Sequence, residues 1–424
     1  MEYALRHSAR ERWIAIAFLA LTCAYLTLAS LRFAAAHFSQ MPDESSLIRA
    51  ARLDPGNAAY SHNVGRVELL ARSSPQTALP WLETATRLNA HNAAYWIDLA
   101  LAEQAVGNVV SERQDLLHAL ETAPRTPEIS WQVANLFLTQ GSPDDAMHAF
   151  RLVIENDPPL AGLAIQTCWK IRPDAQFLLD NVISPNADES FLGFLSSRNE
   201  QAGAAAVWEK MYSLQQSVTR PHLFEYIRDL IAHKQPEQAS RVWRQAAGMS
   251  DLSAYQPSPE NLLVNGDFSL EILNGGFDWM HQKTRGVALA LDPNETHSSA
   301  RSLRIVFDGP GIEDAGIRQM VPVEANTPYE FSAFYKASEM DGAGGVRFAL
   351  QDLYRETSFF ISDELGNADF WKKVGGSFVT GPETRMLVLR VARVPAGSPI
   401  RGKLWLDGLK LVPGDGHATE RSLQ

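Results

Sequence analysis

The chain has 424 residues, of which 45% are hydrophobic and 21% charged, an ordinary globular composition with length for two or three domains. Its net charge of -11 argues against a nucleic-acid-binding protein, because such a protein needs a basic surface to neutralise phosphates. The 2 cysteines, Cys23 and Cys168, exclude a disulfide framework and belong to no cluster that would bind zinc.

The first predicted element is a membrane-spanning helix over residues 13–36. Its apolar part, WIAIAFLALTCAYLTLASL, carries no charge. At about 1.5 Å per residue it is long enough for a hydrocarbon core of about 30 Å. Three arginines precede it: Arg6, Arg10 and Arg12. The positive-inside rule therefore places residues 1–12 in the cytoplasm and the bulk of the chain on the periplasmic or extracellular side of an inner (cytoplasmic) membrane.

A cleaved signal peptide is the rival interpretation of the same segment. The small residues Ala34–Ala36 would serve as a cleavage site, although the apolar run is longer than a usual signal sequence and Arg32 interrupts it. Both interpretations place residues 40 onward beyond the membrane.

A helical repeat follows, predicted over residues 43–249. RLDPGN at Arg52 returns as RLNAHN at Arg87, and helix-ending positions recur about every 34 residues. These positions are Pro55, Ala90, Pro124 and Pro158. The spacing resembles tetratricopeptide repeats, in which small residues let paired helices approach and larger ones fill the groove between them. The resemblance implies an all-α solenoid with a concave surface for a protein or peptide partner. Residues 159–200 are less regular, and we expect shorter helices there.

Residues 250–260 contain Pro257 and Pro259 and are predicted to be a linker. The helical spacing of apolar residues ends there. From 261 to 413 the sequence consists of short alternating runs separated by Gly, Pro, Asn and Asp turns, which predicts an all-β sandwich. Alternation assigns several aromatic residues to its core: Tyr329, Phe331, Phe334, Phe348 and Trp405. Residues 414–424 are predicted to form a tail.

The opening stretch of this region, NLLVNGDF at Asn261–Phe268, resembles the start of carbohydrate-binding modules of families 4, 9 and 22, which are jelly rolls related to galactose-binding-like domains. Four further stretches resemble later landmarks of these modules in the same order: HSSARSLRIVF, IRQMVPVEANTPYEFSAFYKA, FWKKVGGSFVTG and LWLDGLKLVP. The resemblance implies a jelly-roll sandwich that binds a glycan.

Sugars pack their C–H faces on aromatic rings and need planar polar partners for their hydroxyls. The residues expected to supply such a site are Tyr335, Gln351, Tyr354, Arg355 and Phe359. The same aromatic residues could instead serve packing. The resemblance also implies a structural calcium ion at Asp407, although Ser269 stands where the family carries an acidic residue after the opening phenylalanine.

The sequence contains no Gly-rich phosphate loop, HExxH or GxSxG motif, and we expect no catalytic residues and no cofactor. The predicted function is a membrane-anchored, extracytoplasmic, non-catalytic adaptor of bacterial type. Its solenoid would bind a protein and its sandwich a glycan, in assembly of a surface polysaccharide or exopolysaccharide. The alternative is a purely structural assembly factor that binds no sugar, and a glycoside-active enzyme is the least favoured class.

Overall fold

A computed structural model describes residues 9–414 of the chain, with side chains from residue 11. Most of the predicted cytoplasmic segment 1–12 and of the predicted tail 414–424 therefore lies outside the described residues. The chain divides into two compact units, Met1–Phe191 and Leu192–Gln424, which we call unit 1 and unit 2.

Unit 1 begins with a long apolar helix, α1 (Ala9–Ser39). Its segment Glu11–Ser39 has a mean hydropathy of 2.2 and is long and apolar enough to cross a membrane. Two of its hydroxyl side chains, those of Thr22 and Thr27, donate to carbonyl oxygens four residues earlier at 2.8 Å. These bonds satisfy polar atoms within the helix, as a hydrocarbon environment requires.

Helices of 7 to 14 residues follow one another through the rest of unit 1. They are α2 (Glu44–Leu53), α3 (Ala58–Arg66, continued by a π-helical turn over Val67–Ala71), α4 (Pro75–Leu88), α5 (Ala93–Val106), α6 (Val109–Thr122), α7 (Pro127–Thr139), α8 (Pro143–Asn156), α9 (Pro158–Ile171) and α10 (Ala175–Asn181). Neighbouring helices pack as hairpins, notably α3 with α4, α5 with α6 and α7 with α8. This arrangement confirms the predicted helical repeat.

The repeated sequence letters have repeated structural roles. Asn57 and Asn92 both cap the following helix, and each side chain accepts from the amide two residues on at 3.1 Å. Gly107 and Gly141 lie just after α5 and α7 with φ of 87° and 75°, a left-handed conformation that favours glycine. The hairpin turns therefore fall where the 34-residue spacing predicts them.

Residues 159–200 differ in part from the expectation of short helices. Helix α9 has 14 residues, as many as the repeat helices, whereas α10 has 7 and α11 (Asp188–Ser197) has 10. Helix α9 is long because its two prolines, Pro158 and Pro159, occupy its first turn, where the missing N–H is not needed.

Unit 2 continues with α12 (Gln201–Ser213), α13 (Arg220–Ala232) and α14 (Pro236–Gln245), and then contains the sandwich. The segment predicted as a linker packs against both parts. Trp243 of α14 donates its indole N–H to the carbonyl of Tyr255 at 3.0 Å, and the Tyr255 hydroxyl donates to the carbonyl of Glu271 at 2.9 Å. Residues 250–260 thus mark the end of the helices, while the division between compact units falls at 191/192.

The sandwich has two antiparallel sheets of five strands each. The first sheet has the order β1-β4-β9-β6-β7 and the second β2-β3-β10-β5-β8. The strands are β1 (Met280–His281), β2 (Val287–Asp292), β3 (Ser302–Gly311), β4 (Asp314–Pro322), β5 (Pro328–Asp341), β6 (Gly345–Asp352), β7 (Ser358–Ile361), β8 (Ala368–Val379), β9 (Met386–Val394) and β10 (Pro399–Pro413). The predicted class, an all-α repeat followed by an all-β sandwich, is confirmed.

The opening stretch at Asn261 fastens the start of the sandwich to its last strand. The Asn261 side chain accepts from the amide of Leu411 at 3.0 Å and donates to the carbonyl of Leu409 at 3.0 Å. At Gly266 an added Cβ would lie 2.2 Å from the Leu409 oxygen, so only glycine fits there. The Asn and Gly of this stretch therefore serve chain packing.

Candidate functional site

The five residues predicted to contact a glycan lie in three different environments. Tyr335 on β5 points into the core and is 7% exposed. Phe359 on β7 is half-buried, and its ring lies 6.2 Å from that of Phe378 between centroids. Both rings therefore serve packing between the sheets.

Tyr354 and Arg355 lie in the turn between β6 and β7. The Tyr354 hydroxyl donates to the carbonyl of Ile231 at the end of α13, at 3.0 Å, and burial raises its pKa to about 12. Arg355 forms an ion pair with Glu383. Only Gln351 of the five lies half-exposed on the outward side of a sheet, on β6.

The outward side of the first sheet carries three arginines, and we call it the arginine face. Burial alternates along its strands, and intervening residues such as Phe348 and Leu389 belong to the core. The outward residues are Arg318 and Met320 on β4, Val388, Arg390 and Ala392 on β9, Arg347, Ala349 and Gln351 on β6, and Ile361 on β7. Asp314 on β4 is opposite Ala392 and is also on this side. The face is therefore basic at its centre, with one acidic residue and otherwise apolar or amide-bearing residues around it.

The strand register brings the arginines together. Arg318 is directly opposite Arg390, and Arg390 is directly opposite Ala349 on its other side. Arg347 is opposite Ala392, two residues along β9 from Arg390, and is therefore its diagonal neighbour. Like charges directly opposite each other destabilise a sheet. This face therefore has unfavourable electrostatics that a bound anion would relieve.

The guanidinium groups on this face have few partners within the protein. The Nε atoms of Arg347 and Arg390 are buried and have no hydrogen-bond partner. Arg390 lies 4.0 Å from Asp314, and Arg347 lies 3.8 Å from Glu364 and donates to the carbonyl of Ser362 at 3.0 Å. Within residues 9–414, Arg318 forms no salt bridge. The Nε atoms are closed to solvent, and the accessible part of each group is its Nη end, since the side chains of Arg390 and Arg347 are 38% and 30% exposed.

Arg393 is on β9, as is Arg390, but its guanidinium group is inside the protein and is fully used there. It points inward, is 2% exposed, and burial lowers its pKa. Its nitrogens donate to backbone carbonyls, among them those of Ala343 at 2.9 Å and Pro399 at 3.0 Å. Arg393 is thus a structural residue, whereas Arg390, three positions earlier, is not used in this way.

The outward side of the second sheet carries aromatic rings, and we call it the aromatic face. The His297 ring stacks on Phe334 at 3.8 Å between centroids and lies 5.6 Å from Trp371. Trp405 donates its indole N–H to Asp292 at 3.0 Å. The prediction that Phe334 belongs to the core is therefore wrong, because it alternates out of phase with Phe331. Trp405 is buried as predicted, at 8% exposed, although it lies on the outward side of its sheet.

The surroundings of Asp407 do not fit the calcium ion implied by the family resemblance. One carboxylate oxygen accepts from the amides of His297 and Ser298 at 2.7 and 2.9 Å, and the other accepts from the Ser298 hydroxyl. Amide N–H groups cannot ligate a cation. Among residues 9–414, no cluster of three or more His, Cys, Asp or Glu side chains could hold a metal ion. Asp407 instead fastens the loop before β3.

Sequence reasoning searched for aromatic residues and missed the arginines. Alternation alone would have marked Arg347 and Arg390 as outward, since each is flanked by core residues on both sides. The cross-strand register that makes them neighbours is a property of the fold and has no signal in the sequence.

No family model matches the chain, and no curated protein matches it. Solved structures similar to its two parts include the following. A family 4 carbohydrate-binding module is 13% identical, with coverage of 36% of this chain and 99% of that module and a TM-score of 0.29. The CBM22-1 xylan-binding domain of Xyn10C from Paenibacillus barcinonensis is 16% identical, with coverage of 35% of this chain and 91% of that domain and a TM-score of 0.24. A tetratricopeptide repeat protein from Parabacteroides merdae is 18% identical, with coverage of 53% and 93% and a TM-score of 0.29.

Both resemblances predicted from the sequence are thus found among solved structures. At these identities the likeness concerns the fold alone, and the functional argument depends on the side chains of this chain.

Proposed function

We propose that this protein is a membrane-anchored, non-catalytic adaptor that binds a polysaccharide through the arginine face and a protein partner through its helical repeats. The observation that carries the proposal is the arginine face itself. Arg318, Arg390 and Arg347 are neighbours in the register, carry partly exposed guanidinium groups, and lie beside the amide of Gln351. Such donors suit a ligand rich in oxygen acceptors.

The other parts of the chain support the remaining elements of the proposal. The apolar helix Glu11–Ser39 would act as the anchor, with the N-terminus in the cytoplasm and the repeats and sandwich on the periplasmic or extracellular side. Stacked helical hairpins present extended surfaces to protein partners. Assembly or export of a surface polysaccharide would use both binding functions on one anchored chain.

A purely structural assembly factor is the second candidate, and one observation favours it. The sandwich already uses part of its loop surface to pack against helices, since Tyr354 donates to Ile231 and Arg385 lies 3.3 Å from Glu237 of α14. A sandwich of this kind could hold protein alone. The free donors on the arginine face argue for a ligand in addition.

The test is affinity electrophoresis of the full chain in non-ionic detergent through gels that contain neutral or acidic polysaccharides. Retardation by at least one polymer, lost when Arg318 and Arg390 are both replaced by alanine, is the result expected for the adaptor. Unchanged mobility in every gel, for protein with a native far-ultraviolet circular dichroism spectrum, would favour the structural factor.

A further inference from the structure

We infer that the ligand of the arginine face is an acidic polysaccharide, a polymer with carboxylates at regular intervals. The inference rests on the proposed function and names the class of glycan. It follows from what the arginine face contains and from what it lacks.

The face contains guanidinium groups at intervals set by the sheet. Arg318 and Arg390 are directly opposite, which puts their Cβ atoms roughly 5 Å apart, and the diagonal pair Arg390 and Arg347 is roughly 7–8 Å apart. The three groups therefore form a short row that runs across the strands. A chain of acidic sugars lying along this row would meet several cations in succession.

A guanidinium group is a better partner for a carboxylate than for a hydroxyl. It presents two parallel N–H donors that match the two carboxylate oxygens, and the charge-assisted bonds are about twice as strong as neutral ones. The Nε atoms of Arg347 and Arg390 are buried, so the exposed Nη ends of these side chains are the donors that a carboxylate would meet.

The face lacks the group that neutral sugars need most. Its outward positions include no aromatic ring for the C–H side of a sugar, and its apolar residues are the aliphatic Met320, Val388 and Ile361. A neutral glycan would gain only hydrogen bonds that water also offers. An acidic glycan would in addition relieve the repulsion between Arg318 and Arg390.

The charge of the rest of the protein makes this face distinctive. The chain has a net charge of -11, so a random surface would repel a polyanion. Binding of an acidic polymer must therefore depend on a local cluster of cations, for which this face is our candidate, and must weaken as salt screens the arginines.

The experiment is titration of the full chain in non-ionic detergent with polygalacturonate and with the same polymer fully methyl-esterified. The two polymers share a backbone and differ in charge. We expect polygalacturonate to bind at least tenfold more tightly than the ester, with the difference shrinking as salt rises. The double variant Arg347→Gln/Arg390→Gln should lose most of the affinity for the acid, whereas Arg401→Gln, which removes an exposed arginine from β10, should retain it.

Dextran and dextran sulfate form the second pair of ligands. Binding of dextran sulfate but not of polygalacturonate would overturn the assignment to carboxylates. Equal binding of acid and ester, or acid binding that survives in the double variant, would overturn the inference while glycan binding itself stood. A folded protein that binds none of these four polymers or the polymers of the wider panel would instead overturn the proposed function.

Discussion

The two outer faces of the sandwich use their side chains in opposite ways. On the aromatic face, Phe334, His297 and Trp405 already have partners within the domain, in stacked rings and a hydrogen bond to Asp292. On the arginine face, Arg390 and Arg347 have donors that nothing in the protein accepts. The aromatic face has one such donor as well, the Nε of Arg304, but its cations stand apart, whereas on the arginine face Arg318 and Arg390 are directly opposite each other.

The difference teaches that residue type is a weaker guide to a ligand site than whether the residue's polar groups and rings already have partners within the protein. A buried donor without an acceptor has a free-energy cost of about 1–3 kcal/mol. Because the Nε atoms are closed to solvent, a ligand would bind at the exposed Nη ends of the same side chains. The comparison predicts that binding changes when the arginine face is altered and that folding changes when the aromatic face is altered.

The largest expected effect is on binding. Replacing two arginines by acids, Arg318→Glu/Arg390→Glu, places like charges against an acidic polymer where cations stood. We expect affinity for polygalacturonate to fall by at least about 100-fold, because each lost charge-assisted bond contributes about 1.5–3 kcal/mol. Isothermal titration calorimetry measures it. The matched control is Lys372→Glu/Lys373→Glu on the second sheet, which changes the net charge by the same amount. A similar loss in that variant would mean that overall charge, and not the arginine face, decides binding.

The next effect is on folding and concerns Asp407. The variant Asp407→Asn turns an amide toward the His297 and Ser298 donors and removes three charge-assisted hydrogen bonds. We expect the sandwich to lose about 3 kcal/mol of unfolding free energy. The urea midpoint of unit 2, followed by pulse proteolysis with a C-terminal tag, measures it.

Calcium provides a sharp control for that result. Because the oxygens of Asp407 face donors, we expect neither calcium nor a chelator to move the midpoint of the wild-type protein. A calcium-dependent rise that Asp407→Asn abolishes would show that the carboxylate binds the ion after all.

Binding and folding should also respond differently to pH. Burial raises the pKa of Asp278 to about 6, and one of its carboxylate oxygens has no hydrogen-bond partner. The folded state then holds this proton more tightly than the unfolded state, so stability is highest at low pH and falls as pH rises from about 4 to about 6. Arginines stay charged throughout this range, so binding should change little.

The variant Asp278→Asn isolates this effect. Between pH 5 and pH 7.5 we expect the wild type to lose roughly 1–1.5 kcal/mol of unfolding free energy relative to the variant. Urea midpoints at the two pH values measure the difference. Parallel pH curves for the two proteins would show that Asp278 does not titrate in this range.

The fold could be predicted well because the repeat spacing of the helices and the alternation of the strands can both be read along the chain. The 34-residue spacing located helix ends at Pro55, Ala90 and Pro124, just after α2, α4 and α6, and alternation located the strands. Alternation separates inward from outward residues only when its phase is known. Phe331 and Phe334 are three residues apart and cannot share a side of one strand, and Tyr335 follows Phe331 into the core.

The candidate site was harder to predict because it depends on contacts between distant segments. Nothing local indicates that Arg318 is opposite Arg390, 72 residues later in the chain. Nothing local indicates that Tyr354 donates to Ile231. Proline and serine in residues 250–260 predict a linker, but composition cannot say whether such a segment packs against its neighbours, as Tyr255 does here.

The smallest expected effect tests whether the aromatic face is structural, as the comparison requires. Trp371 is half-buried, and its ring lies 5.6 Å from that of His297, which belongs to the loop fastened by Asp407. Trp371→Ala removes part of a ring contact and should lower the unfolding free energy by about 1 kcal/mol, less than for a fully buried tryptophan. Affinity for polygalacturonate should stay within about twofold. If Trp371→Ala instead abolished glycan binding while leaving the urea midpoint unchanged, the two faces would exchange roles, and the rings would be the site.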